Sequence, residues 1–377
     1  VGALSAPAAR PRRARGRRLR VALALLAGLG ALSLTPTGCY LSRAGYEQGR
    51  ILARRRPIAR LVERGGVDAA TRAKLRLVLD ARAFAVDSLG LDAGRSFTRY
   101  TDLGRDTLVL VLSAAQRDRL EAYTWWFPVV GRVPYKGYFD FGAARREARG
   151  LRARGFDVYL RPSSAYSTLG WFDDPLLNTT LAEDSVDLAN TVVHELTHNT
   201  YYAPGQAVFN ESFASFVGAY GSERFFAARG DTASARRARS RWADDQLLAA
   251  FWRDLSAAVD SAYAARPGET SADSAARVAA RDLVYARARR ALADSVGPRL
   301  SGVGPARAAA WAGRVQLDNA ALLARRTYAR ELGLFEAALA REGGDLRRAV
   351  ARVIALAKAK PSAPYDTLRA WVGPVAR

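Results

Sequence analysis

The chain is poor in the residues that hold metals and disulfides. One cysteine, Cys39, in 377 residues excludes an intrachain disulfide framework and any zinc site built from several cysteines. With only two histidines, any histidine-based metal site must use that one pair. Long apolar runs are scarce as well: one stretch near residue 21 is the exception, so a polytopic membrane protein is excluded. Lysine is nearly absent, with Lys74, Lys136, Lys358 and Lys360 the only four among 58 basic residues. The arginines that replace it are spread along the whole chain beside abundant alanine, as a GC-rich coding sequence would give. No basic patch interleaves with aromatics, so no nucleic-acid partner is expected.

The remaining composition is that of a globular protein. Apolar residues make up 49% and charged residues 25%, which excludes wholesale disorder and collagen-like repeats. The length would allow two or three domains. The net charge of +22 is partly local. Seven arginines and no acid fall within residues 1–38, leaving 51 basic against 36 acidic residues, or +15, for the rest. A basic surface favours anionic lipid heads.

Residues 21–34 read VALALLAGLGALSL, directly after the arginine-rich segment. The run is too short to span a bilayer, and a basic region, a short apolar region and a small residue before Cys39 describe a signal peptide over 1–38. Thr-Pro-Thr-Gly-Cys at 35–39 resembles a bacterial lipobox, with Pro36 where leucine is usual. The expectation is export, a lipid anchor on Cys39 and a place in the bacterial cell envelope, on the periplasmic side. Arg17-Arg18 is also compatible with twin-arginine export.

The pattern beyond Cys39 predicts one α+β domain over 39–377, with a zinc-binding core at 125–225 and a helical part at 226–377. Helical spacing covers 67–90 and 142–153. A hairpin is expected over 97–112, turning at Asp102-Leu103-Gly104. Strands are expected at Phe156–Leu160 and over AYSTLGWF, 165–172. The aromatics between Trp125 and Phe139 read as core. From 187 onward the chain reads as helical, broken at Pro267-Gly268, Gly297-Pro298 and Gly343-Gly344.

The chemistry concentrates in TVVHELTHNT, residues 191–200. His194, Glu195 and His198 form H-E-x-x-H, and both histidines of the chain are in it. Residues four apart share a helix face, so the two imidazoles can serve one ion, while Glu195 reaches a water on it as general base. A third ligand must be a carboxylate. The first acid after His198 is Glu211, in FNESFASFVGAYG at 209–221. Helical spacing places Glu211 in the first turn of a second helix, with Asn210 as its cap and Tyr201 to Val208 as the reversal. His194, His198 and Glu211 would hold one Zn²⁺ and leave a fourth position for water.

Four blocks carry a resemblance: WFPVVGRVPYKGYFD (126–140), AYSTLGWFDDPLL (165–177), HELTHNTYY (194–202) and FNESFASFVGAYG (209–221). With the lipobox, GYEQGR, RRPI, LDNAALL and Tyr328, they resemble the bacterial aminopeptidase lipoproteins, a zincin-like, gluzincin-type group. Asn199 stands where glutamine is common in that group. The resemblance implies a zincin-like α+β fold, with a small mixed sheet whose edge strand lies over the H-E-x-x-H helix. It also implies zinc-dependent peptide-bond hydrolysis at a free N-terminus. Resemblance and spacing together suggest Ser167, Thr168, Leu169 and Gly170 as the strand that pairs with a peptide substrate, and Asp173 or Asp174 as the partner of its α-amine. Tyr166, Tyr220 and Tyr328 are the oxyanion candidates, and Asn210 is a candidate to orient a ligand. Two other functions stay open: an envelope endopeptidase, and a noncatalytic lipoprotein that holds zinc or scaffolds partners.

Overall fold

A computed structural model describes residues 35–127, 131–163, 175–302, 304–326 and 331–373. The chain divides into two compact units, residues 1–50 and 51–377. In the first, residues 36–50 belong to helix α1 (Pro36–Ala53), where Cys39 is exposed. The signal-peptide expectation falls mostly outside the described residues. No described helix is long and apolar enough to cross a membrane.

The second unit is mostly helical with three small sheets. Strands β1 (Arg56–Pro57), β2 (Arg99–Thr101) and β8 (Leu176–Leu177) form a mixed sheet in the order β1-β2-β8, antiparallel then parallel. Strand β3 (Val109–Ala115) lies antiparallel between β6 (Tyr135–Tyr138) and β7 (Asp157–Ser163). Strands β4 (Trp125–Phe127) and β5 (Gly131–Val133) make a separate hairpin. The expected hairpin over 97–112 is therefore absent. Gly104 does turn, at φ +67, with its N–H donating to Asp102, but the strands on either side join different sheets. The reason lies in β3: both of its edges are occupied by longer partners, and Leu108 and Leu112 are fully buried. A single small mixed sheet is likewise replaced by three. The edge strand expected at 165–172 lies outside the described residues.

The aromatic stretch divides between core and surface. Trp125, Tyr138 and Phe139 are buried, whereas Trp126 and Tyr135 are more than half exposed. The Trp125 indole and the Tyr138 hydroxyl both donate to Glu147 on helix α4 (Phe141–Ala153), which also pairs with Lys136.

Helices dominate the remainder. Helix α2 spans Ile58–Arg64, and α3 spans Ala69–Asp87, capped by Asp68 accepting from the Thr71 N–H. After the short α5 (Asn178–Leu181) come α6 (Ser185–Thr200) and α7 (Ala207–Ala228). Asp184 caps α6 by accepting from the N–H groups of Val186 and Asp187. The long α8 (Thr232–Ala264) and α9 (Ser271–Ala291) follow. A π turn and a 3₁₀ turn meet at Gly297, as the Gly-Pro break predicts. Helices α10 (Pro305–Arg314), α11 (Asn319–Arg326), α12 (Leu332–Arg341), α13 (Leu346–Ala359) and α14 (Pro364–Val372) close the described chain.

Helix α7 is the axis of the larger core. More than half of its residues are buried, on all sides, because it packs α6 on one face and α8 and α12 on another. Phe209, Phe213 and Phe216 stack or tilt against Phe335, all essentially inaccessible. Each such ring contributes about 2–3 kcal/mol by burial. A polar hub ties the β3 sheet to the C-terminal helices. Buried Asn319 takes a hydrogen bond from the Tyr285 hydroxyl at 2.7 Å and gives one to the Gln116 carbonyl at 2.8 Å. Its backbone N–H donates to Asp157, which also pairs with buried Arg281.

Candidate metal centre

Helices α6 and α7 form an antiparallel pair joined by six residues. The reversal uses Gly205 at φ +74, a conformation glycine adopts without strain. Asn210 fixes it: its side chain accepts from the Ala203 N–H at 2.9 Å and donates to the Ala203 carbonyl at 2.8 Å. Helix α7 begins at Ala207, so Asn210 is not its cap and Glu211 lies one turn in rather than at the start. Asn210 also touches no ligand side chain with these bonds. It holds the loop that sets the spacing of the two helices.

That spacing brings His194, His198 and Glu211 together. The two Nε2 atoms are 3.1 Å apart. Glu211 Oε2 is 3.5 Å from His194 Nε2, and Oε1 is 3.6 Å from His198 Nε2. These three residues are a group that could hold a metal ion. Tetrahedral Zn²⁺ with ligands at about 2.0–2.1 Å sets ligand atoms about 3.3 Å apart, close to these spacings, although the two carboxylate distances involve different oxygens of Glu211. The fourth direction is not filled by any of the three. Glu195 is half-buried on α6 between the two imidazoles in sequence.

The charge states suit a cation. Burial above all, then neighbouring His194, pushes His198 down to about 4, against the pull of Glu211. It is therefore neutral at pH 7, with a lone pair to give. Burial pushes Glu211 up, but the two imidazoles beside it hold the carboxyl below its ordinary value. His198 Nδ1 is buried with no partner among the described residues, so the ring is oriented by its Nε2 contacts to His194 and Glu211 and by packing. The Tyr202 ring supplies part of that packing, edge-on at 5.9 Å between centroids. The end of α6 is fixed to the segment before β2: Asn199 donates to Ser96 Oγ, and Thr200 Oγ1 accepts from the Asp92 N–H.

The oxyanion candidates fare differently. Tyr220 is nine residues beyond Glu211, on the opposite side of α7. Its hydroxyl donates to Glu336 at 2.9 Å, in a cavity of about 410 Å³ that it shares with Trp242 and Gln246. It turns away from the triad. Tyr166, Ser167, Thr168, Leu169, Gly170, Asp173, Asp174 and Tyr328 lie outside the described residues. Two neighbours of the site were not expected from the sequence, Tyr202 and Gly218. A signal for each existed: Tyr202 is four residues after His198, and Gly218 is a glycine in mid-helix.

One half-buried acid lies just before α6. Thr191 shares the face of His194 and His198, and its hydroxyl donates to Glu183 at 2.9 Å. Burial first, then Asp187 and Asp184, raises Glu183 from 4.5 to about 7, against the Thr191 bond and Lys74. Between these two values the folded chain keeps a proton that the unfolded chain releases, so stability falls as pH rises through that window. Glu183→Gln keeps an acceptor for Thr191 and removes the charge. It is expected to stabilise the fold by about 1–2 kcal/mol at pH 8, allowing for partial exposure, with the gain fading below pH 5. Thermal melts at pH 4.5 and pH 8 check this, and an equal gain at both would sink it.

No curated protein and no solved structure matches the chain significantly. A family profile described as "Putative aminopeptidase" matches residues 39–368, which spans the H-E-x-x-H helix, the Glu211 helix and nearly all the rest, so the chain belongs to that family.

Proposed function

We propose that the chain is a zinc metallopeptidase acting on peptides with a free N-terminus, exported and anchored in the cell envelope through Cys39. The observation that carries this reading is the triad: two imidazoles four residues apart on α6 and one carboxylate from α7, with ligand atoms 3.1 to 3.6 Å apart. Glu195 within the same H-E-x-x-H turn supports catalysis over purely structural zinc. The family description supports hydrolysis of N-terminal peptide bonds.

His194, His198 and Glu211 would hold the ion. Bound Zn²⁺ supplies Lewis acidity toward the scissile carbonyl and lowers the pKa of a water to about 7. Glu195 takes the proton of the attacking water as its oxygen adds to the carbonyl carbon. It then delivers that proton to the departing nitrogen as the C–N bond breaks, so the carboxylate is regenerated. The rigid α6–α7 pair keeps these groups in place without reorganisation.

The test uses the full chain in detergent, loaded with zinc, and a peptide library with half its N-termini free and half acetylated. The expected result is zinc-dependent loss of N-terminal residues from the free peptides alone, read by mass spectrometry. Internal cleavage of both halves would replace the reading with an endopeptidase. Zinc bound at one per chain without any cleavage would replace it with a noncatalytic zinc protein.

A further inference from the structure

Tyr202 is one of few large apolar side chains left open to solvent, with 45% of its surface exposed. Its position is unusual for an exposed ring. It lies edge-on to His198, the candidate ligand, at 5.9 Å between centroids. The loop that carries it is rigid. Asn210 clamps the next residue at both N–H and carbonyl, Ala203 is fully buried, and the Tyr201 N–H donates to the Thr197 carbonyl at 2.9 Å. The neighbouring Tyr201 is directed elsewhere, toward Lys358 at 6.0 Å. The Tyr202 hydroxyl makes no hydrogen bond among the described residues, so the ring rather than the oxygen is what the loop presents.

A fixed aromatic face held in water beside a metal site is a surface prepared for an apolar group. Building on the peptidase reading above, we propose that the Tyr202 ring forms one wall of the substrate subsite. It would contact the aliphatic or aromatic side chain of the residue whose carbonyl faces the triad. Tyr202 is then a specificity residue: it favours large apolar side chains over glycine, and its hydroxyl is dispensable.

The experiment measures binding of leucine hydroxamate and glycine hydroxamate to the zinc-loaded full chain by calorimetry. Both probes carry the same zinc-binding group and differ in the side chain. The expected result is leucine hydroxamate bound about tenfold more tightly than glycine hydroxamate in the wild type, the range one side chain contributes in an apolar pocket. Tyr202→Ala should reduce that ratio to about twofold or less, a comparison in which any change in zinc binding common to both probes cancels, while Tyr202→Phe should retain it. An unchanged ratio in Tyr202→Ala overturns the proposal, as does a loss in Tyr202→Phe equal to that in Tyr202→Ala. Stronger binding of lysine hydroxamate than of leucine hydroxamate overturns the apolar assignment and makes the ring a cation site. Failure of both hydroxamates to bind the zinc-loaded wild type is a different result: there the peptidase reading itself falls, and the subsite with it.

Discussion

Glu195→Gln is expected to retain one zinc per chain and to lose peptide hydrolysis by about a thousandfold, within the range for removal of a general base. The two halves of the result test different things. Retention of zinc follows from geometry, because the group that could hold an ion is His194, His198 and Glu211 and does not include Glu195. Loss of turnover follows from chemistry, because an amide at position 195 has the shape of the carboxylate but cannot take a proton near neutral pH. His194→Ala removes a ligand and should lose zinc and activity together. Metal analysis beside a rate assay separates these cases. Full activity in Glu195→Gln would remove this residue from the mechanism, whatever the zinc content. Loss of zinc in Glu195→Gln would instead mean that the carboxylate supports the ion, and the two roles would need to be exchanged.

The clustering of His194, His198 and Glu211 was largely legible in the sequence because its parts are local. H-E-x-x-H depends only on helix periodicity, and Glu211 was singled out as the next acid in a chain with no further histidine. The helices over 69–87 and 141–153 were read from the sequence for the same reason: apolar spacing is a local signal. The sheets were not. Whether Leu108 to Leu112 pairs with its sequence neighbour or with strands some 25 and 50 residues away depends on long-range competition for its two edges, which a single run of apolar residues does not encode. The orientation of Tyr220 was also hidden. Its position in the same conspicuous block as Glu211 suggested a shared role, but nine residues of helix place it half a turn away, against Glu336 from a segment more than a hundred residues on. Asn210 shows the opposite case. Its sequence position suggested a cap, and a bidentate clamp on Ala203 gave it a larger task.

Gly218→Val is expected to weaken zinc binding by about a hundredfold and to destabilise the fold by about 1–3 kcal/mol, the usual cost of overpacking. A glycine inside a helix costs about 1 kcal/mol relative to alanine, so its presence on α7 needs a compensating contact. The contact is the approach of α6. A Cβ at 218 would stand 2.4 Å from Asn190 Oδ1, 3.1 Å from the Asn190 carbonyl oxygen and 3.2 Å from His194 Cβ. The first of these yields if the Asn190 side chain rotates. The other two are fixed to the backbone of α6, so relief requires the helices to separate. His194 is itself one of the atoms met, and the triad bridges the two helices with distances of only 3.5 and 3.6 Å. Separation therefore pulls Glu211 away from the imidazoles. Gly218→Ala should show the same effect on a smaller scale, about tenfold in zinc affinity, because its few tenths of an ångström of displacement are partly offset by better helix propensity. Competition with a chelator of known affinity measures the zinc term, and thermal melts of the metal-free chain measure the fold. Adding Asn190→Ala to Gly218→Ala removes only the rotatable contact. If that double variant recovers wild-type zinc affinity, the side chain of Asn190 and not the helix spacing was the obstacle. If it does not, the close crossing of α6 and α7 at Gly218 is what holds the two halves of the metal site at coordination distance.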